Sequence, residues 1–446
     1  MFKLRLILSF LALAALIHPA WAAEPTVYTH ATSEQTGPEP TPLAALIDEA
    51  TRSNPEIRAA RLEREAAQQR IAPAGALTDP TLEVGVLNLP VNTFNFRQDE
   101  MTMKMIGLGQ RLPYPGKRKL REELAEQEAE ATGHRYQETV NRVVRNVRVA
   151  YFNLALNGTA TRLTRRNRDA LAQLFEIAQA KYAIGQGNQA DALKAQLQLS
   201  RMADDLIRLA RERREIEGEL NAALGRHPGA TKIIPEPLEL TFPAGPATAA
   251  QMQELTAQPQ LLALQNRITR SQKTLDLAAK EYFPDLDLKL AYGQRDRAQD
   301  GMYRSDMIIF TVGINLPVWR STKLAPMVAE AEAMRGQALE LYQAQQNEIL
   351  MQIHHQSAAA DQNLESARLY ESTIVPQAKL AVESSVAAYR VNRLDYLSVL
   401  DSQMQVFNVE LAYAAAIAGY NKALAELDLL TGKAPSASTA PDTSPR

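Results

Sequence analysis

The chain has 446 residues, 46% hydrophobic and 22% charged, with a net charge of −2 and no cysteine. A charge this close to zero removes the global basic field that nucleic-acid binding requires. The missing thiols exclude disulfide frameworks, thiolate zinc sites, cysteine nucleophiles and a lipid-modified N-terminal cysteine, and a mean hydropathy of −0.27 is too polar for a bundle of transmembrane helices.

The first residues carry Lys3 and Arg5, an apolar run over 6–17, and the small-residue cleavage pattern Ala20-Trp21-Ala22. This order predicts a cleaved secretory signal peptide, 1–22, whose apolar run is shorter than the ~20 residues of a helical span. No later segment holds 18 consecutive apolar residues. The exported protein is therefore expected either as a soluble chain outside the cytoplasm or as a β-barrel, the other fold that satisfies its backbone in lipid. Residues 23–42, rich in Thr, Pro and Glu, and the tail 433–446, rich in Pro, Ser and Thr, are expected to be disordered.

From residue 43 the pattern is helical to 71, with good helix formers and apolar residues three or four apart. Residues 81–88 alternate, with Leu82, Val84 and Val86 on one face; after a polar loop, 102–112 reads as a second strand ending at Pro113. A stripe of Val140, Val143, Val144, Val147, Tyr151 and Leu154 marks a long helix over 117–182. Gly185-Gln186-Gly187 is a turn, and a returning helix over 189–224 ends at Gly225. The second half repeats the order: alternation at Leu286, Leu288, Leu290 and Tyr292, a charged loop, a partner strand over 306–316, and helix from about 324 to 389 with a kink at Pro376. Asn392-Arg393 makes the turn, and 394–430 returns.

The halves align through landmarks that helix composition does not explain. Asn54-Pro55 matches Gln258-Pro259, Asp79-Pro80 matches Phe283-Pro284, and Leu112-Pro113 matches Leu316-Pro317, all offset by 204. Tyr182 matches Tyr389, Leu193 matches Leu400, Gln196 matches Gln403 and Gly225 matches Gly432, all offset by 207. Two homologous repeats are expected, 43–228 and 248–432, joined by a linker over 229–247.

A helix over 117–182 would be about 100 Å long at 1.5 Å per residue. No globular core is that deep, so such helices pack lengthwise. Four strands of roughly ten residues suit a tilted membrane crossing but cannot close a barrel, which begins at about eight strands. Open edges are not viable in lipid. The expected solution is an oligomer that pools its strands, a 12-stranded barrel needing three copies. Tyr114 and Trp319, just after strands, are candidate membrane-interface anchors, and Lys117, Arg118 and Lys119 are candidates for lipid headgroups.

The duplicated strand–strand–long-helix–helix unit resembles the TolC family of outer-membrane efflux proteins. The run Leu112-Pro-Tyr-Pro-Gly-Lys-Arg-Lys-Leu120 is similar to a junction motif of its heavy-metal efflux members, and Tyr182-Ala-Ile-Gly185 and Tyr389-Arg-Val-Asn392 to its hairpin tips. The resemblance covers about 42–432. It implies a mainly α fold with a small β part: a homotrimer whose 12-stranded outer-membrane β-barrel continues into a periplasmic α-helical barrel in a Gram-negative bacterium. It further implies a passive exit duct of a tripartite system, with a periplasmic adaptor, an inner-membrane RND-type pump and heavy-metal cations as candidate cargo.

By the same resemblance, acidic side chains past the second turn narrow the tunnel entrance. Asp401 falls on one such position; the other is Ser398, and Asp395 stands nearby as a substitute. A threefold ring of carboxylates would select cations. Gly185, Gly187, Asn392, Arg393 and Leu394 are candidate adaptor contacts at the tips.

No catalytic constellation is evident: there is no G-x-S-x-G, phosphate-cradling loop or H-E-x-x-H. No enzyme activity, cofactor or metal site is expected. His354-His355 are adjacent and point about 100° apart on a helix. Met101, Met103 and Met105 alternate, which permits Cu(I) binding but fits better an apolar row facing lipid or lumen. The competing reading is a soluble periplasmic coiled-coil adaptor or scaffold, which leaves the four strands unexplained.

Overall fold

The computed structural model describes residues 40–230, 232–238 and 257–433. The expected signal peptide, most of the segment 23–42, part of the linker 229–247 and nearly all of the tail lie outside them. Among the described residues no helix is long and apolar enough to cross a membrane.

The N-terminal helical pattern is three helices instead of one: α1 (Leu43–Ser53), α2 (Pro55–Gln69) and α3 (Ile71–Gly75). The break is local chemistry. Pro55 has no N–H to continue α1 and sits at the first position of α2, while the Asn54 side chain caps α2 by accepting from the N–H groups of Glu56 and Ile57. Strands β1 (Thr81–Leu87) and β2 (Met103–Leu112) follow, then α4 (Lys117–Ala183) and α5 (Gln189–Ala223). At 67 residues, α4 is about 100 Å long.

The second half runs α6 (Pro259–Lys280), β3 (Leu286–Gln294), β4 (Met307–Ile314), α7 (Ala325–Leu369), α8 (Val375–Arg390) and α9 (Tyr396–Thr431). Single π-turns at Arg320–Leu324 and Tyr370–Ile374 precede Pro326 and Pro376. A proline cannot donate to the preceding turn, and the wider turn absorbs the missing bond. The discontinuity expected at Pro376 is thus a π-turn just upstream of it.

The four strands form one antiparallel sheet in sequential order, β1-β2-β3-β4. The crossing of the halves is the β2–β3 pair, in which Leu108 faces Leu290 and Ile106 faces Tyr292.

Apolar packing is divided into separate clusters along the helices. One joins Leu46, Ile57, Val147, Leu154 and Leu220. Another joins Leu261, Ile349, Ile353, Tyr420 and Leu427. Ile57 and Leu261, and Leu220 and Leu427, are partners at the same offsets of 204 and 207 found in the sequence. A third cluster, with Leu171, Leu174, Met202, Tyr389, Tyr396 and Phe407, packs residues of both halves together towards the hairpin ends.

The glycine landmarks acquire a reason. Gly225, at φ +77°, ends α5 with its own N–H donating to Ala222 and the Arg226 N–H to Asn221, a left-handed cap. A Cβ there would lie 2.8 Å from the Ser53 carbonyl and 2.9 Å from Asn54 Cα. Gly432, at φ +70°, meets Pro259 and Gln258 in the same way. The end of the returning helix therefore abuts the Asn54-Pro55 junction, and Asn54 donates its amide to the Ala223 carbonyl at 2.8 Å. Gly225→Ala is expected to destabilise the chain by about 1–2 kcal/mol from the left-handed conformation alone, and by more from the contact; a denaturant midpoint in detergent no lower than wild type would contradict this.

Candidate functional site

Cross-strand partners lie on the same face of a sheet, so the register sorts the strands into two surfaces. One carries Leu82, Val84, Ile106, Leu108, Leu290, Tyr292, Ile308, Phe310 and Val312. These are exposed, Val84 by 76% and Ile308 by 78%. An apolar surface of this breadth, with Lys104 and Gln294 only at one end and Gln110 at the other, marks contact with something other than water. The opposite face carries Glu83, Arg111, Asp287, Lys289 and Thr311 among glycines, with the apolar Met103, Met105, Met307 and Ile309 towards the loop end and Lys289 Nζ 2.5 Å from Glu83 Oε1. Apolar outside and polar inside is the alternation of a transmembrane barrel wall.

Met103 and Met105 lie on the polar face, since they pair with Leu87 and Gly85; Met101 precedes the strand. The expected three-methionine row is therefore not formed, and the two that share a face point away from the apolar one.

The junction between sheet and helices is built on charge. Lys117, expected at lipid headgroups, is instead 0% exposed. Its Nζ donates to Asp285 Oδ1 at 2.9 Å, to Glu281 Oε2 at 3.0 Å and to the Phe283 carbonyl at 3.3 Å. An ammonium taken out of water must be paired, and the first turn of α4 lies against the loop that carries Asp285. Asp285 also accepts from the Tyr114 N–H at 2.9 Å and from Arg111 at 3.3 Å. Burial pushes the Asp285 carboxyl up, but the hydrogen bonds from Lys117, the Tyr114 N–H and Arg111 more than offset it and leave the group below its ordinary value.

The other anchor candidates separate. Tyr114 is half-buried and stacks on Phe283, ring centroids 4.6 Å apart. Trp319 is 69% exposed beside the exposed Leu316 and Val318. Arg118 and Lys119 are exposed; Arg118 donates to the Gly75 carbonyl at 2.8 Å and Lys119 lies 3.9 Å from Glu123.

At the far end the two hairpin tips are the same cap built twice. Gly185 and Asn392 are both left-handed, at φ +75° and +60°. Gln186 N–H donates to Lys181 and Arg393 N–H to Ala388, each five residues back, the Schellman arrangement. The tips touch: Lys181 Nζ donates to the Tyr389 carbonyl and to Asn392 Oδ1, both at 2.5 Å, and lies 4.0 Å from the Tyr389 ring centroid. Lys181 was not among the residues singled out from sequence, since nothing local distinguishes it from other helix-end lysines. Gly187, Arg393 and Leu394 lie in the same turns, Leu394 half-buried and the other two exposed.

Asp395 caps α9, accepting from the Ser398 N–H at 3.0 Å, and the Ser398 hydrogen bond holds its carboxyl below the ordinary value. Asp401 is an exposed residue further along the same helix. Six residues of helix rotate about 240° at 3.6 per turn, so the two carboxylates do not share a face.

Comparison with known proteins gives this geometry a family. The family model described as outer membrane efflux protein matches residues 46–226 and again 252–433. The chain belongs to the outer membrane efflux protein family. It is 22% identical over 401 residues to the cobalt-zinc-cadmium resistance protein CzcC of Cupriavidus metallidurans, covering 88% of this chain and 90% of that protein. Among solved structures, the outer membrane protein VceC of Vibrio cholerae matches with a TM-score of 0.76 at 17% identity, over 87% of this chain and 96% of the other. CusC, a transmembrane channel former, matches with a TM-score of 0.73 at 17% identity, over 87% and 91%.

As a member of this family the protein is an outer-membrane efflux channel. The soluble coiled-coil alternative is set aside: it has no use for a sheet with an exposed apolar face.

Proposed function

We propose that three copies of this efflux channel pool their sheets into one 12-stranded barrel, and that the helices continue from it as a periplasmic tunnel. The observation that carries this is the sheet itself. Among the described residues its order leaves β1 and β4 each with one unpaired edge, and its apolar face commits those edges to lipid, where unpaired backbone is not viable. Joining β4 of one copy to β1 of the next removes every edge. The particle extracted in mild detergent is expected to have the protein mass of three chains; a monomer that stays soluble without detergent would overturn the reading.

In the same reading the two units 43–228 and 248–432 are repeats of one ancestral element, exported by a signal peptide over 1–22, and the duct is passive. An inner-membrane RND-type pump does the transport work through a periplasmic adaptor that meets the tips at Gly185, Gly187, Asn392, Arg393 and Leu394. Exposed Ile184 and Val391, 68% and 63% exposed, supply an apolar rim there. Arg393→Glu is expected to leave channel conductance intact and abolish pump-dependent efflux; unchanged efflux would remove the tip from the adaptor contact. Arg118, Lys119 and Trp319 serve as anchors at the periplasmic membrane surface. The resemblance to CzcC makes heavy-metal cations the proposed cargo.

Asp401 is the proposed entrance carboxylate, three per assembly. Asp401→Asn is expected to shift the reversal potential of reconstituted channels in a salt gradient towards that of a non-selective pore. An unchanged potential would take Asp401 out of the gate.

A further inference from the structure

Within the helical wall, roughly 24 Å from the end of α4 at 1.5 Å per residue, side chains of three helices converge: Asn167 of α4, Gln198 and Met202 of α5, Gln403 and Met404 of α9. Asn167 and Met202 are each only 3% exposed. Asn167 Nδ2 lies 3.5 Å from Met202 Sδ and 3.6 Å from Met404 Sδ, and Gln198 Nε2 lies 3.3 Å from Met404 Sδ. On its other side Asn167 Oδ1 accepts from Gln403 Nε2 at 2.9 Å.

A buried amide normally finds an oxygen for each N–H group. Thioether sulfur is a weak acceptor, so an amide nitrogen turned towards two sulfurs recovers little of the hydration it gave up. Packing alone would be served as well by leucine at 202 and 404. The arrangement becomes economical when the Asn167 amide turns over. Its Oδ1 then faces both sulfurs, and its Nδ2 donates to Gln403, whose own amide turns with it, so that the bond between the two amides is kept and only the weak N–H···S contacts are given up. Gln198 can present its oxygen to the same point by the same rotation.

Two thioethers and one or two amide oxygens form a neutral, soft donor set. Thioethers select Cu(I) and its congener, whereas zinc and similar divalent ions are held by imidazole, thiolate or carboxylate. We propose that Met202, Met404 and Asn167 bind a soft monovalent cation, Cu(I) or Ag(I), in the wall of the channel. A cavity of about 250 Å³ lined by Asn167, Gln403, Phe407, Glu410, Arg166 and Lys379 lies on the Asn167–Gln403 side of the cluster. Glu410 in that cavity is paired with Arg166, and with Lys379 at 3.4 Å, so its carboxylate is not the ligand. Because Met202 belongs to the first hairpin and Met404 to the second, an occupied site staples the two halves together. The proposal does not depend on the number of copies in the assembly or on its cargo.

The test is titration of the full-length protein in detergent with Ag(I), followed calorimetrically. One tight equivalent per chain is expected. Met202→Leu and Met404→Leu should each weaken it at least about tenfold, while Met351→Leu, at an exposed helical position, should not. Excess Zn(II) should leave the tight equivalent in place. Wild-type affinity in both leucine variants, or displacement by Zn(II), would overturn the site. Silver X-ray absorption on the wild-type protein checks it without any variant: two sulfur neighbours are expected, and a shell of nitrogen or oxygen alone would refute it.

Discussion

Asp285→Ala lowers the stability of the folded channel by about 3–5 kcal/mol, the cost of removing one partner from a buried ion pair. The substitution leaves the Lys117 ammonium, which is 0% exposed, with only Glu281 and the Phe283 carbonyl, and takes an acceptor from the Tyr114 N–H and from Arg111. Lys117→Met costs a comparable amount, because it leaves Asp285 and Glu281 facing each other without their shared cation. The double variant Lys117→Met with Asp285→Leu recovers most of the loss, since an apolar pair avoids the desolvation that the ion pair carries. Denaturant midpoints in detergent measure all three. Additive losses in the double variant would show that the two residues act separately and that the junction is held by something else.

The same carboxyl sets a pH dependence whose sign is determined by its lowered pKa. The unfolded chain binds a proton at Asp285 near the ordinary value of about 3.9, and the folded chain binds it only at lower pH. The stabilisation is therefore complete above that ordinary value and drains away as the pH falls through the folded one. It should vanish from the pH profile of Asp285→Ala.

Leu290→Arg has the second large effect. Leu290 stands at the centre of β3, 55% exposed, with Leu108 and Phe310 as its cross-strand neighbours on the apolar face. A charge at the midplane of a barrel's lipid face costs about 2–4 kcal/mol. Thr311→Glu is the charged control. Thr311 pairs with Lys289 on the polar face, where an added carboxylate meets a cation, and the change stays within about 0.5 kcal/mol. Yield of assembled particle from the outer membrane and its denaturant midpoint report both. The reverse outcome, with Leu290→Arg tolerated and Thr311→Glu damaging, would turn the sheet inside out and put the apolar face towards the lumen.

Both results bear on transport. In the proposed barrel the polar face would set Glu83, Lys289, Asp287 and Arg111 along the path of a hydrated ion, and the Asp285 cluster joins that sheet to the first turn of α4 and the end of α6. The sheet thus meets the helices through a set of charges, and a weakened cluster should loosen one relative to the other before either unfolds.

Sequence by itself showed the strands, the long helices and the matched landmarks of the two halves, though not the division of 43–71 into three helices. Alternation at Leu82, Val84 and Val86, the valine stripe of α4, and the turns at Gly185 and Asn392 are local properties. A strand shows its period over a few residues, a cap shows its chemistry in one turn, and offsets of 204 and 207 are countable without coordinates. What it did not contain was which matched landmarks meet. Asn54-Pro55 and Gly225 were legible only as members of two repeats, yet Asn54 bonds the Ala223 carbonyl across 169 residues. The basic run after Pro115 shows the same limit. Lys117, Arg118 and Lys119 are alike in sequence, but only Lys117 is turned inward, onto a carboxylate 168 residues away. Burial of a charge is decided by its distant partners, so tertiary structure alone could separate the structural lysine from its exposed neighbours. Packing likewise set Met202 beside Met404, and Lys181 against the opposite tip, where no local pattern had distinguished them.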